Sequence, residues 1–303
     1  MSAYTEDHLV EQPAIQLMQH ELGWDVMNCY GEWALLRQGS EGQAGGVSDL
    51  GREGKREVVL AGRLKSALLS LNPDLPEEAI DGAVEELSRD RTALSLVEAN
   101  REIDKLLKGG VTVKFPDKEN GGQRTEVVAV IDWEVPENNN FLLASQFWVA
   151  GALYLKRPDL IGFVNGLPLV LMELKAPGEN VRQGYDKNIA DYKGTIPQLF
   201  HYNGLIIVSN GVQSKIGSLT AKWEHYGDWK KAVSEEEAAD ISLNTLLRGT
   251  CDKGRLLDLV ENFTRFSDEK GKTQKLVARN HQFLGVNRAV AALVRICELE
   301  GKT

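Results

Sequence analysis

Residues 160–174 constrain this chain more than any other stretch. Leu160 to Val164 and Leu169 to Leu174 are apolar runs of strand length. Between them stands Asn165-Gly166, a dipeptide that closes tight β-hairpins because both residues tolerate positive φ. Both runs read as largely buried strands. That needs a sizeable core, which 303 residues at 42% hydrophobic and 26% charged can build as one large domain or two modest ones.

The flanking sequence supplies elements of both kinds. Thr5 to Gly23 reads as a helix, offset at Pro13, and residues 34–54 as a Gly/Ser/Gln-rich loop. Glu57 to Leu71, Pro76 to Ser88 and Leu94 to Lys108 read as three amphipathic helices. From Val111 the character changes. Val111 to Phe115, Thr125 to Ile131 and Phe141 to Val149 are rich in β-branched and aromatic residues and read as strands. After the hairpin come a helix over Val181 to Tyr192, a strand over Leu205 to Val208, and helices over Arg255 to Phe266 and Asn280 to Leu299.

Composition narrows the setting. Cys29, Cys251 and Cys297 are odd in number and far apart, which makes neither a disulfide framework nor a CxxC metal pattern and fits a reducing cytoplasm. No apolar run approaches the roughly 20 residues of a membrane-spanning helix, and no signal peptide opens the chain, so a cytoplasmic protein without membrane partners is expected. The net charge of −9 argues that any nucleic-acid contact is local or partner-assisted, since backbone affinity comes mostly from Lys and Arg.

The chemistry-bearing pattern is Arg157-Pro158-Asp159, followed by Glu173-Leu174-Lys175 at the end of the second hairpin strand. Glu173 and Lys175, two apart on a strand, share a face. The hairpin folds Asp159 back towards them, five residues on one arm roughly matching five on the other. Buried acids and bases persist only if paired or bridged, and a cation with a phosphate would bridge them. Hard oxygen ligands suit Mg²⁺, with Asp159 and Glu173 as its ligands and Lys175 orienting or deprotonating a water. The bland alternative makes Asp159 a turn residue and Glu173 with Lys175 a solvated edge.

The whole segment Arg157-Pro-Asp-Leu-Ile-Gly-Phe-Val-Asn-Gly-Leu-Pro-Leu-Val-Leu-Met-Glu-Leu-Lys-Ala-Pro177 closely resembles the PD-(D/E)xK nuclease signature of type I restriction enzyme R subunits. Asn72-Pro, Leu75-Pro, Asn100, Gly109-Gly-Val, Ile131-Asp-Trp, Asn139 and Asn140 before Phe-Leu, Ile196 to Asn203 and Ile207 to Gly211 extend the resemblance over nearly the whole chain. It implies an α/β, restriction-endonuclease-like mixed sheet flanked by helices, with an additional helical N-terminal region. Asp159 and Glu173 would be the metal ligands and Lys175 the catalytic lysine. The family's Gln-x-x-x-Tyr element falls on Asn188 and Tyr192, so an amide one methylene shorter replaces the Gln. Gln183-Gly-Tyr185 has the wrong spacing and is taken as helix surface. Nucleases of this class often add an acid from a nearby helix, for which Glu6 or Glu11 is a candidate, against the reading of a solvated helix-start acid.

The resemblance also implies what surrounds the site. Arg279-Asn-His-Gln282 is similar to the segment just before the family's motor, where Gln282 would contact adenine only in a longer chain. No Walker-type phosphate loop is present, so ATP would be used by the full-length subunit and not by these residues. The division expected is an endonuclease domain over 1–230, with a helical insertion at about 55–108, and a helical linker over 231–303 leading into an ATP-dependent translocase. Double-stranded DNA, modification (methyltransferase) and specificity subunits, and the C-terminal motor region are the expected partners. Lys156, Arg157, Arg182, Lys187 and Lys193 flank the motif as candidate phosphate contacts, with Arg157 the one assigned to DNA or site support; the plain alternative is solubilising surface. The five histidines fall into no zinc-ligand spacing. The rival functions are a non-catalytic, nuclease-like docking module and an autonomous DNA-processing nuclease.

Overall fold

The computed structural model describes residues 7–32, 50–117, 121–269 and 271–299. The expected mixed α/β architecture is present. A seven-stranded sheet runs in the order β1 (Asp25–Asn28), β4 (Phe141–Ser145), β7 (Leu160–Val164), β8 (Leu167–Leu174), β9 (Leu205–Ser209), β10 (Ser214–Gly217) and β11 (Gly227–Asp228). The pairs β1–β4 and β8–β9 are parallel and the other pairs antiparallel, so the sheet is mixed. β7, β8 and β9 are buried along their whole length, as their unbroken apolar character demands.

Helices flank this sheet. A single π-helical turn, Asp7–Glu11, runs into α1 (Gln12–His20), with Pro13 in the first turn where its missing N–H costs nothing. The expected helical block is α2 (Ala61–Leu71), α3 (Glu77–Ser88) and α4 (Leu96–Gly109). α4 starts on a full capping box, Ser95 with Glu98. α2 begins later than its periodicity suggests, because Val58, Val59 and Leu60 are a buried extended strap whose last amide donates to Gly166 O at the hairpin turn, 2.9 Å. Against α3 packs a separate ribbon of β2 (Val111–Pro116) and β3 (Gln123–Val128).

Two expectations need correction. The strand expected over Phe141 to Val149 stops at Ser145, because Gln146 turns the chain at φ 57; a two-residue ribbon, β5 (Val149–Ala150) with β6 (Leu155–Lys156), follows. The helix expected over Arg255 to Phe266 ends at Glu261 in α7 (Lys253–Glu261), which follows α6 (Leu243–Thr250). Its final residues belong instead to the hairpin β12 (Thr264–Glu269) and β13 (Lys272–Val277) ahead of α8 (Asn280–Leu299). Of the expected loop at 34–54, residues 34–49 lie outside the described residues. Its end is anchored by Arg52, fully buried, which pairs with Glu32 and donates to the carbonyls of Glu57 and Trp148.

The residues quoted upstream of the hairpin are its scaffold. Asn165 sits in the turn at φ 50 with Gly166 at φ 78. Its Oδ1 accepts from Asn140 N at 2.7 Å, and its Nδ2 donates to Val130 O and to Asn139 Oδ1 at 2.9 and 2.8 Å. Asn139 Oδ1 in turn accepts from Asp132 N. Asn100 likewise donates from α4 to the carbonyls of Phe200 and Asn203, and buried Lys275 of β13 donates to Asn100 Oδ1 and Asn203 O. Replacing Asn165 by Gly keeps the turn's backbone freedom while removing the side-chain partner of Val130 O and Asn140 N. The variant should lose about 2–4 kcal/mol in urea unfolding, and Asn165→Ala more, since Ala also strains at positive φ.

Candidate active site

The turn at Asn165-Gly166 sets an initial register of Val164 opposite Leu167 and Phe163 opposite Pro168. Continued unchanged, that register would place Asp159 opposite Met172. A bulge between Gly162 and Phe163 shifts the pairing by one, to Gly162 with Val170 and Leu160 with Met172. One step further, the same register brings Asp159, the bend residue just before β7, to the side of Glu173, and its carboxylate neighbours that of Glu173. The arms are therefore not matched five to five as expected: β7 has five residues and β8 eight. The extra residue, Leu169, is held by Gly204, whose N donates to Leu169 O at 2.7 Å. Gly162 accommodates the bend because a Cβ there would meet the Trp24 ring and Val170 at 3.1 Å.

This register gathers the acid, acid and base. Leu174 N donates to Asp159 Oδ2 at 2.7 Å. Lys175, whose own N continues the ladder to Ser209 O, donates from Nζ to Glu173 Oε1 and Leu174 O, each at 2.7 Å. The Glu173 side chain is 1% exposed and that of Lys175 13%. The reading of a solvated edge fails at Glu173.

Electrostatically the pair is unbalanced. Burial, then the neighbouring Asp159 carboxylate, pushes Glu173 up to about 8, against the opposing pull of Lys175. Burial also raises Asp159, although Leu174 N, Lys175 and Arg157 pull the other way. One lysine does not hold two adjacent buried carboxylates ionised, so the pair keeps a proton well above the usual carboxylate range. Glu173 Oε2 is buried with no hydrogen bond of good geometry.

The helix after the motif closes the site. A π-helical stretch, Gly184–Ile189, leads into α5 (Ala190–Thr195). Asn188 and Tyr192, one turn apart, come together there: the buried Tyr192 hydroxyl faces both Glu173 and Asn188, and burial with the two carboxylates raises its pKa strongly. The helix can approach because residue 184 is Gly, where a Cβ would meet Glu173 Cγ at 3.3 Å and Lys175 Cε at 3.8 Å. Tyr185, taken as helix surface, instead packs against Trp223 and Tyr226 and donates to Ala221 O. Gln183 is exposed and accepts from Lys187.

On the opposite side, Gln146 connects the site to the N-terminal helix. Its N donates to Asp159 O at 3.2 Å, and its Nε2 donates to Glu11 Oε1 and Oε2 at 3.2 and 3.4 Å. Glu11 is buried, not the solvated helix-start acid of the alternative reading. Glu6 lies outside the described residues. Sequence reasoning missed Gln146 and Gly184. The positive φ of Gln146, rare for a non-glycine residue, has no one-residue signature.

Among the described residues no three His, Cys, Asp or Glu side chains gather closely enough to enclose a metal ion. Two facing carboxylates with an unpartnered buried oxygen nevertheless fit a cation that keeps most of its waters, as Mg²⁺ does.

Comparison with known proteins decides the family. Residues 3–225 match the family model described as type I restriction enzyme R protein N terminus. The chain belongs to this family. It is 35% identical over 294 residues to the type I restriction enzyme HindI endonuclease subunit of Haemophilus influenzae, covering 94% of this chain and 26% of that protein. A relative from Methanocaldococcus jannaschii that carries the name MjaIXP endonuclease subunit is 29% identical over 325 residues, 96% of this chain and 28% of its own. The chain thus spans about a quarter of the length of these relatives.

Within this R-protein N-terminal region, the basic residues flanking the motif mostly have internal partners. Lys156 pairs with Asp191 and Arg182 with Asp186, while half-buried Lys193 donates to Leu219 O and is pushed down to about 8 by burial. Arg157 stays exposed over the Trp148 ring and close enough to favour the ionised form of Asp159. Gln282 lies far along the chain in the first turn of α8, where its Oε1 accepts from Arg279 N. Among the described residues no helix is long and apolar enough to cross a membrane.

Because the Asp159–Glu173 pair keeps a proton in the fold, Glu173 being pushed up to about 8, while both acids are ionised in the unfolded chain above about 4.5, the unfolded state holds fewer protons across that window. Metal-free stability in EDTA should therefore fall as pH rises from 5 to 8, by roughly 2–4 kcal/mol. Glu173→Gln should flatten the decline. A metal-free melting temperature that stays level or rises over this range would show that the pair is not strained as described.

Proposed function

We propose that this chain is the Mg²⁺-dependent DNA-cleaving part of a type I restriction enzyme R subunit, built on a PD-(D/E)xK fold with Asp159, Glu173 and Lys175 as its catalytic residues. The observation that carries this reading is the bulged register that sets two carboxylates face to face over a buried, unpartnered oxygen with a lysine at 2.7 Å. A purely structural pair would have each buried oxygen met by a protein donor of good geometry; Glu173 Oε2 is not, although the Tyr192 hydroxyl lies near that carboxylate.

In this reading Asp159 and Glu173 would hold the cation, which would offset their repulsion and supply polarisation of the scissile phosphate. Leu174 N fixes one Asp159 oxygen and so aims the other. Lys175 Nζ, restrained by Glu173 and the Leu174 carbonyl, would offset phosphate charge and orient the attacking water. Tyr192 and Asn188 hold Glu173 in place, and Glu11 through Gln146 places a further negative charge behind Asp159.

Residues 1–230 serve as the endonuclease domain, and residues 231–303 lead towards an ATP-dependent motor carried by the rest of a longer chain. Gln282 would meet ATP only there. Supporting this, α8 exposes Val286, Val290, Leu293 and Val294 at helical spacing. By family, double-stranded DNA is the substrate, and modification and specificity subunits are the partners that choose the site. That same exposed helix is the one feature favouring the docking-module alternative.

Nicking of supercoiled plasmid with Mg²⁺ discriminates the readings, tested with this chain and with a motor-containing assembly plus ATP. Asp159→Ala and Lys175→Ala should each lower cleavage at least ~100-fold while remaining folded. Equal cleavage by all three proteins, or none by the wild type under either condition, would leave the docking module as the surviving reading.

A further inference from the structure

The ribbon β5–β6, which ends three residues before Asp159, has at its tip a surface that the catalytic reading does not use. Val149 pairs with Lys156 and Ala150 with Leu155, and Gly151 N donates to Tyr154 O at 2.8 Å to close the tip. At that tip Leu153 is 87% exposed and Tyr154 57%. An exposed leucine beside an exposed tyrosine adds nothing to the core and costs solubility, so its place on a well-fixed element calls for an occupant.

The ribbon is fixed from both sides. Ala150 N donates to Lys55 O, and Gln198 Nε2 donates to Ala150 O, each at 2.8 Å. Behind it, Gly151 lies so close to Thr195 that a Cβ would stand 1.8 Å from the Thr195 carbonyl oxygen. Buried Arg52 donates to Trp148 O and so holds the adjoining aromatic.

Cations alternate with these aromatics. Arg157 lies 5.1 Å from the Trp148 ring centroid and 6.0 Å from that of Tyr30; Lys55 lies 5.6 Å from Trp148, and Lys156 5.5 Å from Tyr154. Lys156 also pairs with Asp191, so Arg157 is the strongest candidate for an outside anion. In a chain of net charge −9, a cation–aromatic surface continuous with the carboxylate pair is the local exception that binding a polyanion demands.

We propose that this ribbon is a duplex-DNA grip: Arg157, backed by Trp148, holds a backbone phosphate beside the carboxylate pair, and Leu153 with Tyr154 press on the sugars and base edges of the adjoining groove. Phosphate contacts fix position without reading sequence, and apolar side chains entering a groove add sequence-tolerant affinity. The assignment rests on the nuclease reading for its substrate and goes beyond it by locating the grip.

The test is binding of a fluorescein-labelled 25-base-pair duplex by this chain in EDTA, followed by anisotropy across salt concentrations. Arg157→Ala should weaken binding at least ~5-fold and reduce the magnitude of the log–log salt slope by about 1. The double variant Leu153→Ser/Tyr154→Ser should weaken it comparably with the slope unchanged. Lys114→Ala, on the exposed side of β2, should bind as the wild type. Both changed sites are exposed, so unaltered melting temperatures are expected, and bromodeoxyuridine photocrosslinks should map to Tyr154 in the unmutated chain.

Wild-type binding by all variants, an equal loss in the Lys114 control, or no duplex binding at low salt would overturn the grip. So would normal DNA binding accompanied by lost assembly with modification subunits, which would make the surface a protein interface. Because EDTA removes cleavage from the readout, the two readings fail separately: binding through the ribbon without plasmid nicking removes the nuclease, and nicking with unchanged binding in every variant removes the grip.

Discussion

A one-residue bulge in the β7–β8 hairpin decides which face of the sheet carries the two carboxylates, and the remaining features of the site depend on it. Side chains alternate along a strand, so an unbulged hairpin would turn Glu173 away from Asp159. The bulge is supported at three points. Gly162 gives room against Trp24, Leu169 O is taken by Gly204, and the turn is pinned by Asn165 through Asn139, Asn140 and Val130. Residues far from the chemistry therefore aim it.

The same register imposes an electrostatic cost that the fold does not itself offset. Glu173 is buried, one of its oxygens is unpartnered, and Lys175 supplies a single positive charge between two acids. Burial strengthens both the repulsion between the carboxylates and the attraction of any cation placed between them. In the proposed reading such a site trades stability for affinity towards a charged ligand, which is how functional sites usually depart from well-satisfied cores.

The surrounding shell is built from both ends of the sheet. Gly184 lets the π-helical stretch lie against Glu173, bringing Asn188 and Tyr192 with it, while Gln146 bridges from the end of β4 to buried Glu11. The C-terminal third also touches this framework: β13 inserts Lys275 between Asn100 and Asn203, which order the chain entering β9. Site and periphery are thus joined by buried polar contacts as well as by apolar packing.

Local chemistry made much of this legible in the residues alone. Unbroken apolar runs marked β7, β8 and β9, Asn165-Gly166 marked the turn, periodicity marked α2 to α4 and α8, and the pattern from Arg157 to Pro177 carried the family resemblance. Short, polar or edge elements lacked such a signal: β1 owes its form to β4, far along the chain, and β10, β11 and the β12–β13 hairpin are short or polar strands without an apolar run. The bulge, the positive φ of Gln146, the burial of Glu11 and the pairing of Lys156, Arg182 and Lys193 were likewise decided in three dimensions. The sequence by itself determined which residues carry the charges and which strands bury them. Only the tertiary structure decided which charges face one another, because a one-residue shift in register or one non-local ion pair reverses that outcome without changing any local propensity.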